Sequence, residues 1–169
     1  MYCMDQTEQI KSRRSVRKYK PYEVPAYVIE DILECARLAP TARNEQPWLF
    51  GAVTDKKLLG ELGRLANTGP FIADAGVCFA VFTLRGEKYY LEDGCAATMN
   101  IIHACQAHGL GSCWVAGDKK PYAEDVRKLL KVPEEYTLIA LIPAGYPEGK
   151  PPEKPKKPKE DACFTNTRN

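Results

Sequence analysis

Near the N-terminus, Arg13-Arg14-Ser15-Val16-Arg17 places three guanidinium groups and a hydroxyl in one short stretch. Guanidinium forks take phosphate oxygens in pairs, and a hydroxyl adds a further donor, so this combination suits a terminal phosphate. Far along the chain, Lys154 and Lys156 carry cations that could close on the same group. Between them lies Pro40-Thr41-Ala42-Arg43-Asn44-Glu45-Gln46-Pro47-Trp48, a stretch rich in amide and hydroxyl side chains. Asn and Gln each present a donor and an acceptor together, which suits the edge of a flavin ring. Plainer readings stand beside these: a solvated charge run for the cations, and a surface turn with self-satisfied polar groups for the loop.

Other chemistry is missing. The sequence has no G-x-S-x-G elbow, no P-loop and no H-E-x-x-H. Residues 109–114, GLGSCW, start like a dinucleotide fingerprint but lack its third glycine and stand between a helix and a strand in the wrong order. Glu92 and Asp93 are neighbours on a helix and point about 100° apart, so they do not make an acid–base pair. His103 falls in the apolar half of the same helix and reads as a core or interface histidine. The seven cysteines are odd in number and include no C-x-x-C. They read as buried thiols in a reducing compartment, with neither a disulfide framework nor a metal site. With no nucleophile, acid–base pair or metal centre, any enzyme chemistry falls to a cofactor.

Charge supports grips on a small anion. The net charge of +2 hides +6 over residues 11–20, +2 over residues 148–160 and −6 elsewhere. A nucleic-acid coat spreads its basic surface more widely and studs it with aromatics, so nucleic acid is not the expected partner.

The elements that must position these residues follow from periodicity. A short helix is expected at about 5–12, then a clear amphipathic helix from Pro25 to Pro40 with Val28, Ile29, Ile32, Leu33, Ala36 and Ala39 on one face. Residues 47–55 read as a strand, 55–66 as a helix and 75–82 as a buried strand. Residues 87–108 read as the longest helix, ended by Gly109. Its second half is apolar nearly all round, so it needs partners on several faces, and a subunit interface is one natural supplier. A strand over 112–117, a helix over 121–131 and a last strand over 136–145 complete four strands interleaved with helices.

At 169 residues, with 44% apolar and 27% charged, the chain is expected to form one domain, residues 1–169, of which about 148–169 is an extended Pro/Lys tail. The longest apolar runs, 75–82 and 138–144, are too short to span a bilayer, and no signal peptide is visible. A cytoplasmic protein with no membrane partner is the expectation.

Four stretches together resemble the FMN-dependent nitroreductase family, specifically its short members: RRSVRKY at 13–19, APTARNEQPW at 39–48, HGLGSCWVAG at 108–117, and AGYP with the Lys/Pro run at 144–158. The segment LEDGCAATMNIIHACQAHGLG also resembles the family's central helix. The resemblance implies an α+β sandwich, a central, mostly antiparallel sheet flanked by helices, in an intertwined homodimer with FMN at the interface. By position, it implies that Arg13, Arg14, Ser15 and Arg17 hold the FMN phosphate and ribityl chain, and that Lys154 and Lys156 also touch the phosphate. Pro40, Thr41, Ala42 and Asn44 match the loop that reaches the flavin from the other subunit. Backbone groups around Ala116 and Gly117 match the strand end near the flavin N5. No side chain need be catalytic, and no metal is implied.

The implied activity is that of an oxidoreductase: NADH or NADPH delivers hydride to the flavin and leaves. A nitro compound, quinone or similar electron-poor acceptor then takes its place, in a ping-pong cycle. Two departures from the family pattern bear on this. Lys156 stands where many relatives have Arg, giving a point charge instead of a fork. The short TLRGEKYY segment before the long helix leaves no room for the helices that wall the substrate site in longer members. The alternatives are a non-catalytic FMN-binding or sensor protein, and specialised flavin chemistry such as reductive dehalogenation, whose relatives carry lid segments.

Overall fold

The structure, a computed structural model, describes residues 5–167; Cys3 lies outside them. Five strand segments form the sheet: β1 (Trp48–Val53), β2 (Val77–Leu84), β3 (Gly111–Ser112), β4 (Val115–Ala116) and β5 (Tyr136–Gly145). Their order is β1-β2-β5-β3, with β4 also on β5, and every strand pair is antiparallel. On β2, Val77, Phe79 and Val81 pack with α2 (Ala26–Arg37) and α4 (Tyr90–Ala107). Cys78, Ala80 and Phe82 pack with α3 (Lys56–Leu65) and α5 (Ala123–Leu129) on the other face. Helices cover both faces, which is why β2 is apolar without alternation. This is the expected α+β sandwich.

The strand expected at 112–117 is split in two. Gly111–Ser112 pairs with Gly145 and Ala144, and Val115–Ala116 pairs with Leu141 and Ala140. The residues of β5 facing the break are Pro143 and Ile142; the Pro143 carbonyl accepts from the Cys113 N–H at 3.2 Å, but Pro143 has no N–H to return. The ladder therefore lapses for two residues. A second irregularity lies on the other side of β5: the β2 register jumps between Val81 and Phe82, from Ala140 to Leu138, and leaves Ile139 as a bulge.

The longest helix, expected over 87–108, is regular over Tyr90–Ala107, with Glu87–Tyr89 as its entering turn. It ends as the sequence predicts: Gly109 has φ 73°, its N–H bonds the Gln106 carbonyl, and the Leu110 N–H bonds Cys105. Ala97, Ile101 and Cys105 are fully buried, whereas Ala96, Met99 and His103 remain half-exposed on this single chain. Gly94 belongs to the helix for a packing reason: a Cβ there would lie 2.7 Å from Ile139 Cγ1, so the first turn rides directly on the bulge.

Among the described residues no helix is long and apolar enough to cross a membrane. Two short helices complete the chain, α1 (Gln6–Ser12) before the basic segment and α6 (Lys159–Ala162) in the tail.

Candidate functional site

Residues 15–20 run as an extended arm along the sheet edge. The Val16 N–H bonds the Ser112 carbonyl at 2.9 Å, Ser15 bridges to Ser112, and Tyr19 bridges to Pro147. The Tyr19 hydroxyl, buried, donates within reach of the Val16 and Pro143 carbonyls at 2.7 and 3.1 Å, and burial pushes its acidity far down. Val16 presses so closely on β3 that a Cβ on Gly111 would lie 2.6 Å from Val16 Cγ2. The chain leaving β5 joins from the other side: the Lys20 N–H bonds Tyr146, and the Glu148 N–H bonds Lys18.

This pairing brings the two basic ends of the sequence together. A cavity of about 400 Å³ is lined by Lys11, Arg13, Arg14, Ser15, Arg17, Lys154 and Lys156, with Ile10 and Pro152. Arg14 Nη2 bonds Glu153 Oε1 at 2.9 Å, tying arm to tail, and Arg17 lies over the Phe71 ring at 5.8 Å. Arg13, Arg17, Lys154 and Lys156 have no carboxylate partner among the described residues. The lining answers the fit required of a phosphate ester: unpaired cations, one hydroxyl and concave space, with the neighbouring carboxylates Glu8 and Glu153 already engaged by Lys11 and Arg14.

The loop after α2 lies elsewhere. None of residues 40–46 lines the basic cavity among the described residues. The loop is fixed at the start of α4, where Asp93 accepts from the Thr41 hydroxyl at 2.7 Å and the Ala42 N–H at 3.1 Å. The cavity end of α4 is marked by Gln106 Nε2 bonded to Ser12 Oγ at 2.9 Å. At 1.5 Å per residue, Asp93 and Gln106 are roughly 20 Å apart along the helix. Arg43, Asn44 and Gln46 all have φ near 55°, and their side chains are exposed.

The strand end at 116–117 divides into two roles. The Gly117 and Asp118 N–H groups both donate to the bulged Ile139 carbonyl, at 2.9 and 3.2 Å. Gly117 is therefore spent on the fold, and a Cβ there would lie 2.5 Å from Leu138 Cγ. The pairing that places Gly117 N–H on Ile139 makes Ala116 opposite Ala140 a non-hydrogen-bonded pair, so the Ala116 N–H points away from β5. The Ala116 carbonyl accepts from the Tyr122 hydroxyl. Ser112 and Ala116 lie opposite residues four apart on β5, or roughly 13 Å along the sheet. Beside the strand end, the Tyr90 hydroxyl reaches Asp118 Oδ1 at 3.3 Å.

Asp93 is the residue that sequence reasoning missed. Sequence spacing sets it only beside Glu92, whereas its partners are 52 and 51 positions away. Its single sequence signal is the Asp-Gly pair opening the helix. Among the described residues six cysteines are free, of which Cys78, Cys105 and Cys113 are buried, Cys35 and Cys95 half-buried, and Cys163 exposed. Burial pushes Cys105 up to about 12 and raises Cys78 further, so both behave as small apolar side chains. No cluster of metal-ligating groups occurs among the described residues.

A sequence model of the nitroreductase family matches residues 10–146. A protein of Methanothermobacter thermautotrophicus, provisionally named NADH dehydrogenase/NAD(P)H nitroreductase, is 35% identical over 153 residues, covering 88% of this chain and 80% of its own. An FMN-dependent nitroreductase from Clostridium difficile superposes with a TM-score of 0.84 at 29% identity, covering 94% of this chain and 98% of its own. An iodotyrosine deiodinase of Thermotoga neapolitana is 28% identical, over 86% of this chain and 90% of its own. With arm, central helix and strand end all inside the matched span, the chain belongs to the nitroreductase family.

Proposed function

We propose that this protein is an FMN-dependent oxidoreductase that takes reducing equivalents from NAD(P)H and passes them to small electron-poor acceptors such as nitro compounds or quinones. The convergence of Arg13, Arg14, Ser15, Arg17, Lys154 and Lys156 on one cavity carries the reading. Bound there, FMN supplies hydride transfer. The guanidinium groups and Ser15 hold the phosphate by charge-assisted hydrogen bonds, and the two lysines add point charge. The outward Ala116 N–H, about 13 Å along the sheet from Ser112, would be the backbone donor available to the flavin ring.

The loop of Pro40, Thr41, Ala42 and Asn44 completes the site of a second copy. Arm and loop are fixed to opposite ends of α4, roughly 20 Å apart, which is what a site shared between two chains requires. Half-exposed Ala96, Met99 and His103, with Tyr27 70% and Leu38 64% exposed, supply apolar surface for that pairing. In this reading the loop presents the Asn44 amide to the ring held by its neighbour.

Similarity to deiodinases supports a second reading, reductive removal of halide from an aromatic ring. Only Arg85–Tyr89 separate β2 from α4, leaving no segment to close over such a substrate, and this favours the open-site reading.

An anaerobic absorption spectrum before and after NADH, then NADPH, tests the proposal. A flavin spectrum that bleaches is the expected result. A flavin left oxidised by both donors points to an FMN-binding or sensor protein, and a colourless protein that takes up no added FMN rejects the reading.

A further inference from the structure

We infer that Asp93 is a positioning residue that sets the geometry of the flavin-facing loop; the inference rests on the reading above, in which that loop meets FMN bound by a second copy. The Asp93 side chain is almost wholly enclosed, at 6% exposure, and spends both oxygens on the loop. Oδ2 accepts from the Thr41 hydroxyl at 2.7 Å and Oδ1 from the Ala42 N–H at 3.1 Å. The Thr41 oxygen accepts in turn from the Gln46 N–H at 3.1 Å. One carboxylate thereby closes the entry and the exit of the loop through a single hydroxyl.

The loop needs such an anchor. Arg43, Asn44 and Gln46 have φ of 54°, 60° and 52°, left-handed conformations that non-glycine residues disfavour. Three of them within four positions do not persist unless their surroundings over-determine them. The surroundings here are Asp93 and, behind it, the sheet. Asp93 stands in the first turn of α4, where the helix terminus favours a carboxylate. Its neighbour Gly94 bears directly on the Ile139 bulge. The same bulge takes the Gly117 and Asp118 N–H groups. A rigid path therefore runs from the strand end through Ile139 and Gly94 to Asp93 and Thr41, and so to the exposed Asn44. The consequence is that Asp93 touches no cofactor, yet decides where the Asn44 amide stands.

Asp93→Asn tests this, because an amide keeps one acceptor for the Ala42 N–H and turns an N–H towards the Thr41 hydroxyl. FMN affinity should fall about tenfold, with a shifted flavin absorption band. In the FMN-free protein, hydrogen exchange at the Ala42 and Gln46 amides should quicken about tenfold or more. Thr41→Val, which removes the hydroxyl at constant shape, should reproduce these effects. Thr41→Ser should keep slow exchange at Gln46. The double variant Asp93→Asn with Thr41→Val should be no worse than the single ones. A loss of thermal stability alone, with FMN affinity, spectrum and exchange unchanged, overturns the inference, as do effects that simply add. Failure of the wild-type protein to take up FMN rejects the functional reading instead; the exchange rates still decide whether Asp93 holds the loop.

Discussion

The two ends of α4 build their halves of the site by opposite means. At the Gln106 end the groups are long and cationic, and they reach the cavity from chain segments held at the sheet edge by backbone bridges, the Tyr19 hydroxyl and the Arg14–Glu153 ion pair. At the Asp93 end the groups are short and enclosed, and glycines at 94 and 117 let backbone press against Leu138 and Ile139. Charge acts over distance and tolerates a shift of an ångström, whereas a close-packed contact does not. Phosphate capture can therefore rest on flexible stems, while presentation of an amide to a ring needs a fixed frame.

Removing charge from the first end gives the largest expected effect. Arg13→Ala combined with Arg17→Ala should weaken FMN by about a hundredfold or more, since each charge-assisted bond contributes about 1.5–3 kcal/mol. The melting temperature of the FMN-free protein should barely move. Equilibrium dialysis showing undiminished affinity would remove the phosphate assignment. Gly94→Ala attacks the second end. Its methyl group would need room that Ile139 Cγ1 occupies at 2.7 Å, so a net destabilisation of about 1–3 kcal/mol is expected despite the better helix propensity of Ala. Urea unfolding measures it, and a stabilised variant would mean that the first turn of α4 is free to move.

Asn44→Ala separates the loop from its frame. FMN affinity or flavin potential should change, by about tenfold in the former, with little change in unfolding. If only the melting temperature moves, the loop is structural and the contrast between the two ends disappears. Lys156→Arg should tighten FMN by a few-fold at most, because a fork replaces a point charge on an exposed stem.

The smallest effect belongs to a control outside both regions. Glu124, bridged by Arg127 and Arg85, has its carboxyl lowered from 4.5 to about 2, chiefly by the hydrogen bond from Arg127. A lowered carboxyl stabilises the fold above its ordinary value and loses that contribution as pH falls through the folded value. Glu124→Gln should therefore lower the melting temperature by no more than about 2 °C at neutral pH, with the difference fading between pH 4.5 and about 2. Flavin binding should be untouched at either end.

The sequence was readable where a signal is local. Val28, Ile32 and Ala36 mark α2, Gly109 ends α4, and the continuous apolar run of β2 announces a strand covered on both faces. The basic arm stood out because its residues are adjacent. What stayed hidden depends on pairing across the chain. The break between β3 and β4 comes from Pro143 on another strand, and Gly117 lost its free N–H to a bulge at Ile139 that no periodicity reveals. Asp93 points away from its neighbour Glu92, and its partners lie in the loop before β1, which local spacing does not reveal.

The ion pair between Arg14 and Glu153 joins residues 139 positions apart, so the basic cavity is among the most non-local structures in this fold. Contacts of that separation form late, because the chain between them must be ordered first. The sheet is long-range too, β1 meeting β2 across α3 and β2 meeting β5 across α4 and α5, but its strand pairs span much less of the chain than the arm-to-tail contact does. Cofactor capture is then expected to follow sheet pairing, so that refolding of the chain should be no faster with FMN present than without it.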